Sequence, residues 1–197
     1  MFFVTTACTA GPQAKTILIL GDSLSAGFGI AQQQSWPSLL EQRLKTEGYP
    51  YRVANVSISG ETTRGGLSRL PAALRQQQPE VVVVALGAND GLRGLPLEQL
   101  RDNLNTIIQL SKDNHARVLL LSMQLPPNYG SDYTRRFKQI YADLARQHQV
   151  ALQPFFFAGF ADSREAFQND GLHPTAAAQP VVLDNVWHGL QPLLRKH

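Results

Sequence analysis

The chain has 197 residues, enough for one domain to bury a core without disulfides or a structural metal. Its 18 lysines and arginines, against 15 aspartates and glutamates, are scattered, so the sequence lacks the basic stripe with interleaved aromatic residues that a nucleic-acid binder shows. The single cysteine, Cys8, excludes an intramolecular disulfide and a cysteine-rich metal site, and no two histidines have the spacing of a helical zinc motif.

The first 14 residues differ in composition from the rest of the chain. They carry no charged side chain, and an apolar stretch at residues 2–4 is followed by small and hydroxylic residues. This pattern resembles the second half of a secretory signal with cleavage near Ala10, without its positive first region. A lipid anchor at Cys8 is disfavoured because Thr5 stands where such signals prefer leucine. We predict a signal-peptide remnant or a disordered tail over residues 1–14, and one domain over residues 15–197.

After residue 15, short apolar runs typical of buried strands alternate with amphipathic helical segments. Residues 81–84 are four valines, a continuous run typical of a strand covered on both faces. About five such alternations predict an α/β fold, with helices on both faces of a parallel sheet and right-handed crossovers. No other segment approaches the length of a membrane span. Strands are predicted at 16–20, 51–58, 79–86, 117–123 and 150–157, and helices at 36–47, 66–78, 96–114, 131–149 and 175–194, the last bent at Pro180.

Four polar clusters that contain glycine stand where a predicted strand ends or the last helix begins. The carboxyl ends of parallel strands meet at one edge of a sheet, and functional groups collect there. One such cluster would indicate only a turn, whereas four at the same edge predict a site. The clusters are residues 21–25, 57–62, 87–91 and 170–174, with the sequences GDSLS, SISGET, GANDG and DGLHP.

Ser23 is the predicted nucleophile, because it follows a strand on a tight turn. A serine hydroxyl is a weak nucleophile and needs a base within hydrogen-bond reach. His173 can supply this base, since imidazole titrates near neutral pH. Asp170, three residues earlier, can bind the other ring nitrogen, fix the tautomer and stabilise the imidazolium. Pro174 disfavours helical backbone at His173 and keeps it on a loop.

A tetrahedral intermediate also needs hydrogen-bond donors for its oxyanion. The predicted donors are the backbone N–H groups of Ser23 and Gly60 and the side-chain amide of Asn89. Each of these residues has a simpler interpretation when taken alone: Ser23 as a helix N-cap, residues 89–91 as a turn, and His173 as a surface histidine. We expect Asp22 to form an Asx-turn or to orient its loop, Asp90 to be structural, and Ser25 and Ser59 to form loop hydrogen bonds.

At these residues the chain resembles the SGNH, or GDSL, hydrolases, and within them the bacterial thioesterase I, lysophospholipase L1 and arylesterase group. The four residues that name the family match Ser23, Gly60, Asn89 and His173 in the expected order. The aspartate of the family's Asp-x-x-His motif matches Asp170. Further matching blocks are residues 57–60, 67–71, 89–94, 124–130 and 185–187, and two departures are Ala88 for a common glycine and Glu61 for a common aspartate.

The resemblance implies a three-layer α/β/α sandwich of flavodoxin-like type, with a parallel five-stranded sheet and a shallow active site. It implies hydrolysis of acyl esters and thioesters through a Ser23 acyl-enzyme, without a cofactor, and export to the periplasm. It also implies a mobile segment at residues 90–96 and an acyl groove near Leu125 and Pro126. The residues that we expect to contact substrate are Asp22, Leu24, Leu125 and Pro126.

Other functions remain open at this point. The same triad would serve a carbohydrate O-deacetylase or a peptidase-like hydrolase, and a binding module that keeps the fold without turnover is a further alternative. We expect no nucleic-acid partner, no metal and no stable membrane insertion. We expect a monomer that is periplasmic or secreted. Acyl chain length and the physiological substrate do not follow from the sequence.

Overall fold

Five parallel strands form a single sheet in the order β2-β1-β3-β4-β5 within residues 14–196, the part of the chain that this computed structural model describes. Cys8 and most of the predicted signal remnant or tail lie outside the described residues. Strands β1, β2 and β3 each end near a polar cluster, and the order reverses between β1 and β3, where ligands bind in sheets of this type. The strands are β1, Lys15–Gly21; β2, Tyr51–Asn55; β3, Val81–Ala85; β4, Arg117–Leu121; and β5, Ala151–Gln153.

Helices cover both faces of the sheet, which gives the predicted three-layer α/β/α sandwich. On one face α2 packs against α7, and on the other α3 packs against α5 and α5 against α6. The central strand β3 is completely buried, as its run of valines predicts. The helices are α1, Ser23–Ala26; α2, Trp36–Thr46; α3, Thr63–Gln77; α4, Ala88–Leu92; α5, Leu97–Asp113; α6, Ser131–His148; and α7, Gln179–Leu190. Of the helices in the described part, none combines the length and the apolar character needed to cross a membrane.

The predicted elements are all present, but several of their ends differ. Strand β2 ends at Asn55, three residues earlier than predicted, and the Asn55 side chain there donates to the Ser25 carbonyl and accepts from the Ser57 N–H. Strand β5 stops at Gln153, four residues before the end of its apolar run. The bend expected at Pro180 does not occur, because Pro180 lies in the first turn of α7, where its missing N–H costs nothing.

At position 87, the first residue of the cluster that contains Asn89, a close contact requires glycine. Its φ is +111°, and a Cβ at this position would lie 2.1 Å from the Tyr141 hydroxyl. That buried hydroxyl donates to the Leu86 carbonyl at 2.9 Å. Helix α6 therefore fixes the point at which the chain leaves β3 and turns toward the site.

Candidate active site

Ser23 is the first residue of α1, two residues after the end of β1. Asp22 caps this helix, because its carboxylate accepts a 3.0 Å hydrogen bond from the Leu24 N–H. The helix has only four residues and ends at Gly27, whose φ is +76°. The interpretation of Ser23 as an N-cap is therefore wrong, and the tight turn leaves the Ser23 side chain at the surface of a cleft.

His173 lies beside Ser23, although the two residues are 150 positions apart in the chain. Its Nε2 is 2.8 Å from the Ser23 Oγ, and its Nδ1 is 2.7 Å from the Asp170 Oδ2. The His173 side chain is 19% exposed, so the ring is mostly enclosed. The three side chains thus form one continuous chain of hydrogen bonds.

Asp170 fixes the tautomer of His173. Desolvation raises the pKa of Asp170, but hydrogen bonds from the backbone N–H groups of His173 and Leu172, and from the His173 ring, more than offset it and hold this pKa at about 2. An ionised carboxylate can only accept, so the His173 Nδ1 carries the proton. The His173 Nε2 is then the acceptor that Ser23 needs, and the Ser23 hydroxyl donates to it.

Arg164 supports the segment that precedes Asp170. Its guanidinium donates to three successive carbonyls, those of Phe167 at 3.0 Å, Gln168 at 2.8 Å and Asn169 at 3.0 Å. Nothing in the local sequence predicts this contact. Arg164 thereby stiffens an otherwise irregular loop next to the Asp170 carboxylate.

The two backbone groups of the predicted oxyanion hole are available. Neither the Ser23 N–H nor the Gly60 N–H donates a hydrogen bond to another group between residues 14 and 196. Gly60 has a φ of +78°, which favours glycine at this position. The exposed Arg93 holds this conformation, because its guanidinium donates to the Gly60 carbonyl at 2.9 Å.

Asn89 differs from these two groups, because its amide is already engaged. Its Nδ2 donates to the Asp22 Oδ2 at 3.2 Å and to the Glu61 carbonyl at 3.0 Å. An amide nitrogen carries two hydrogens, so a ligand must replace one of these acceptors. Glu61, one of the two departures from the family pattern, pairs through its side chain with Arg69 at 2.8 Å.

Asp22 lies beneath Ser23 and is completely buried. Burial raises its pKa to about 7, although hydrogen bonds from the Leu24 N–H and the Asn89 amide act in the opposite direction. Asp22 was expected either to contact substrate or to orient its loop. Because it is enclosed and binds two groups of the site, we propose that it holds the loop.

The raised pKa of Asp22 predicts a pH-dependent stability. An ordinary aspartate loses its proton near pH 3.8, whereas folded Asp22 keeps its proton to about pH 7. In this window the folded state binds the additional proton, so the free energy of unfolding falls as pH rises. We expect calorimetric Tm to fall by several degrees more in the wild type than in Asp22→Asn across the window. Parallel Tm curves for the two proteins would contradict a protonated Asp22.

Asp90 links the loop that carries Asn89 to the loop that carries Gly60, which fits the structural role that we expect for it. It is buried, and its carboxylate accepts from both the N–H and the hydroxyl of Thr63, the first residue of α3. Asn103 donates to the Thr63 hydroxyl at 3.0 Å. The hydrogen bond expected at the Ser25 side chain is absent, because this buried hydroxyl has no partner within the described range.

The site opens into a cleft of about 830 Å³ that Ser23, Gly60, Asn89 and His173 all line. The four residues that we expect to contact substrate, Asp22, Leu24, Leu125 and Pro126, all line the same cleft, although Asp22 is itself completely buried. Among the residues described, 14–196, no three histidine, cysteine or acidic side chains cluster closely enough to hold a metal ion. Most of the other lining residues are apolar, including Leu92, Met123, Phe155, Phe156, Phe157, Phe167 and Leu172.

Comparison with known proteins gives a consistent result. Residues 19–180 match the model of the GDSL-like lipase/acylhydrolase family. Over 181 residues, 92% of this chain and 90% of the relative, the sequence is 50% identical to the esterase TesA of Pseudomonas aeruginosa. It is 45% identical to an arylesterase of Vibrio mimicus, covering 94% and 92% of the two chains. It is 44% identical to the thioesterase 1/protease 1/lysophospholipase L1 of Escherichia coli K12, covering 92% and 86%.

Two solved structures extend the likeness to three dimensions. A crystal structure of TesA, 50% identical, superposes with a TM-score of 0.89 and covers 91% of this chain and 100% of that one. The psychrotrophic esterase EstA from a Pseudoalteromonas species, in a structure inhibited by monoethylphosphonate, is 38% identical. It superposes with a TM-score of 0.86 and covers 90% and 97% of the two chains.

Proposed function

Because the chain belongs to the GDSL-like lipase/acylhydrolase family, we propose that it hydrolyses acyl esters and thioesters, with Ser23 as the nucleophile and the Asp170–His173 pair as the base. Its relatives are named esterase, arylesterase and thioesterase, and the chain is a carboxylic ester hydrolase. The observation that supports these residue roles is the continuous contact from Ser23 Oγ through His173 to Asp170, at 2.8 and 2.7 Å.

In the first half of the reaction, the Ser23 Oγ attacks the carbonyl carbon of the ester while the His173 Nε2 takes its proton. Asp170 stabilises the imidazolium that forms. The carbonyl oxygen becomes an oxyanion, which the N–H groups of Ser23 and Gly60 and the amide of Asn89 stabilise. His173 then donates its proton to the leaving alcohol or thiol as the carbon–oxygen or carbon–sulfur bond breaks.

In the second half, water cleaves the Ser23 acyl ester. His173 removes a proton from the water, and the new oxyanion uses the same donors. Collapse of this intermediate releases the carboxylic acid and returns the proton to Ser23. The apolar side chains of Leu24, Leu125 and Pro126 are suited to an acyl chain, because they line the cleft next to the nucleophile.

A p-nitrophenyl ester tests the acyl-enzyme directly. We expect an initial burst of p-nitrophenol that equals the enzyme concentration wherever deacylation is slower than acylation, and no burst from Ser23→Ala. A fluorophosphonate should add to Ser23, as located by peptide mass spectrometry, and should stop hydrolysis. Ser59→Ala is the matched control, since this exposed serine lines the same cleft without contacting a base. Full hydrolysis by Ser23→Ala, or labelling elsewhere, would reject the assignment.

We also propose that the chain is exported to the periplasm or the medium and acts as a monomer without nucleic acid. The signal-like composition of residues 1–14 and the scattered distribution of basic residues support this. Mass spectrometry of the mature N-terminus tests the export, with cleavage expected near Ala10. Light scattering on the purified protein tests the monomer.

A further inference from the structure

The Gln168 side chain joins the segment that follows the nucleophile to the segment that carries the base. Its Nε2 donates to the Phe28 carbonyl at 2.8 Å and to the Pro174 carbonyl at 3.2 Å. Phe28 lies five residues after Ser23, just beyond the end of α1, and Pro174 directly follows His173. One amide group therefore links two segments that are 140 residues or more apart in the chain.

The backbone of Gln168 closes the base loop on itself. Its N–H donates to the His173 carbonyl at 2.8 Å, and its carbonyl accepts from the Gly171 N–H at 2.9 Å. Asp170 lies inside the loop that these two bonds close. Gln168 thus contacts the base loop through its backbone and the nucleophile segment through its side chain.

The fit around this amide is close. Gly29, next to Phe28, has a φ of +73°, and a Cβ there would lie only 2.1 Å from the Gln168 Oε1. A side chain at position 29 would therefore displace the amide. The Phe28 ring packs against the His173 ring, with 4.5 Å between their centroids. The segment that Gln168 holds is thus in direct contact with the proposed base.

We propose that Gln168 is a positioning residue that keeps the His173 Nε2 within hydrogen-bond reach of the Ser23 Oγ. This inference rests on the proposed function. The two ends of this link differ in burial: Pro174 is buried, whereas Phe28 is 50% and the Asp170 side chain 37% exposed, so core packing does little to hold the Phe28 segment and the Asp170 carboxylate in place. A displacement of about 1 Å in a reacting group can cost on the order of 100-fold in rate.

The test is Gln168→Met, which keeps the length of the side chain and removes its amide. We expect kcat for a p-nitrophenyl ester to fall by roughly 10- to 100-fold, with KM within about twofold. The rate constant for Ser23 labelling by a fluorophosphonate should fall by the same factor, because that reaction needs the same proton transfer. All rates are divided by the amount of Ser23 labelled at completion, which corrects for unfolded protein. Gln168→Glu places an acceptor against two carbonyls and should lose at least as much.

The matched control is Gln179→Met. Gln179 is also a glutamine whose side chain binds backbone, since its buried Oε1 accepts from the Trp36 N–H at 2.9 Å, but it does not contact Ser23, Asp170 or His173. We expect this variant to lose Tm and to keep kcat per labelled site. A purely structural role of Gln168 would give the same pattern in Gln168→Met.

The outcomes separate this inference from the proposed function. Unchanged kcat per labelled site in Gln168→Met, or a rise in KM alone, would overturn the positioning role. The proposed function fails on a different result, namely hydrolysis by Ser23→Ala at the wild-type rate. A fall in kcat matched by the labelling rate, with little change in Tm, supports the positioning role.

Discussion

His173→Ala is expected to lower kcat by a factor on the order of 10⁶, with the fold intact. Among the residues described, the imidazole is the only group placed to take the Ser23 proton, with its Nε2 2.8 Å from the Ser23 Oγ. The ring is mostly enclosed, but its contacts with Ser23, Asp170 and Phe28 lie in the loops of the site and not in the core, so Tm should change little. Steady-state hydrolysis of a p-nitrophenyl ester, together with calorimetry, measures both quantities. A loss in kcat smaller than about 100-fold would mean that another group acts as the base.

His188→Ala is the matched control for this variant. His188 is an exposed histidine in the last turn of α7, and its Nδ1 forms a hydrogen bond with the Asp184 carbonyl of the same helix. Its replacement should leave kcat and KM unchanged. A fall in kcat in His173→Ala but not in His188→Ala would then be due to the loss of the base and not to the removal of a histidine as such.

Asp170→Asn is expected to cost about 10⁴-fold in kcat, because an amide can present a donor to Nδ1 and favour the wrong tautomer. With its pKa held at about 2, Asp170 is ionised throughout the ordinary pH range. Its interactions therefore stabilise the fold above the ordinary value of 3.8, and this contribution is lost only as pH falls through about 2. The acid limb of a pH–rate profile near neutrality cannot come from this carboxylate.

Asn89→Ala is expected to lower kcat by about 100- to 1,000-fold, equivalent to roughly 2.7–4 kcal/mol of transition-state stabilisation. In the proposed mechanism the amide is one of the donors to the oxyanion, and KM should change much less than kcat because the effect is confined to the transition state. Steady-state kinetics over a range of ester concentrations separates the two constants. Wild-type kcat in this variant would remove Asn89 from the oxyanion hole.

Asn103→Ala serves as the control for Asn89→Ala. Asn103 donates to the Thr63 hydroxyl at 3.0 Å and thereby supports the same pair of loops, but it does not line the cleft. Its loss should lower Tm through the partly buried hydrogen bond and leave kcat within a few-fold. If both variants lost kcat equally, loop support would explain the result better than oxyanion stabilisation.

The contact between Ser23, His173 and Asp170 could be predicted because these residues stand in two short motifs, one after the first strand and one before the last helix. Ser23 follows β1 and His173 precedes α7, and a local pattern identifies both elements. Functional groups collect at the carboxyl edge of a parallel sheet, which predicts that the two residues meet there. The same rule carries no information on side chains such as Gln168 and Arg164. Their roles depend on carbonyl groups that irregular loops present, and the loop conformation has no periodic pattern. Both residues look like ordinary surface residues in the sequence.

Local sequence patterns also do not predict which polar residues are buried or where an apolar run leaves the sheet. Asp22 belongs to a polar cluster, yet it is completely enclosed, because the surrounding loops fold over it. Phe155, Phe156 and Phe157 extend the apolar run of β5, and the sequence predicts a strand through them. They leave the sheet instead, line the cleft and form an aromatic cluster with Phe167. An apolar run alone does not distinguish a buried strand from the wall of a ligand site.

Because the Asn89 amide already donates to Asp22 and Glu61, it should bind the substrate and the tetrahedral intermediate with different strengths. A neutral ester carbonyl is no better an acceptor than the Glu61 carbonyl, so a bound substrate gains little by displacing it. A full negative charge on oxygen is a stronger acceptor by roughly a factor of two, and it can win that exchange. The Glu61 carbonyl therefore competes with the bound ester for the Asn89 amide, and only the oxyanion of the tetrahedral intermediate binds the amide strongly enough to displace it. In the proposed mechanism the amide therefore lowers the activation barrier and adds little to substrate affinity. Such stronger binding of the transition state than of the substrate raises kcat.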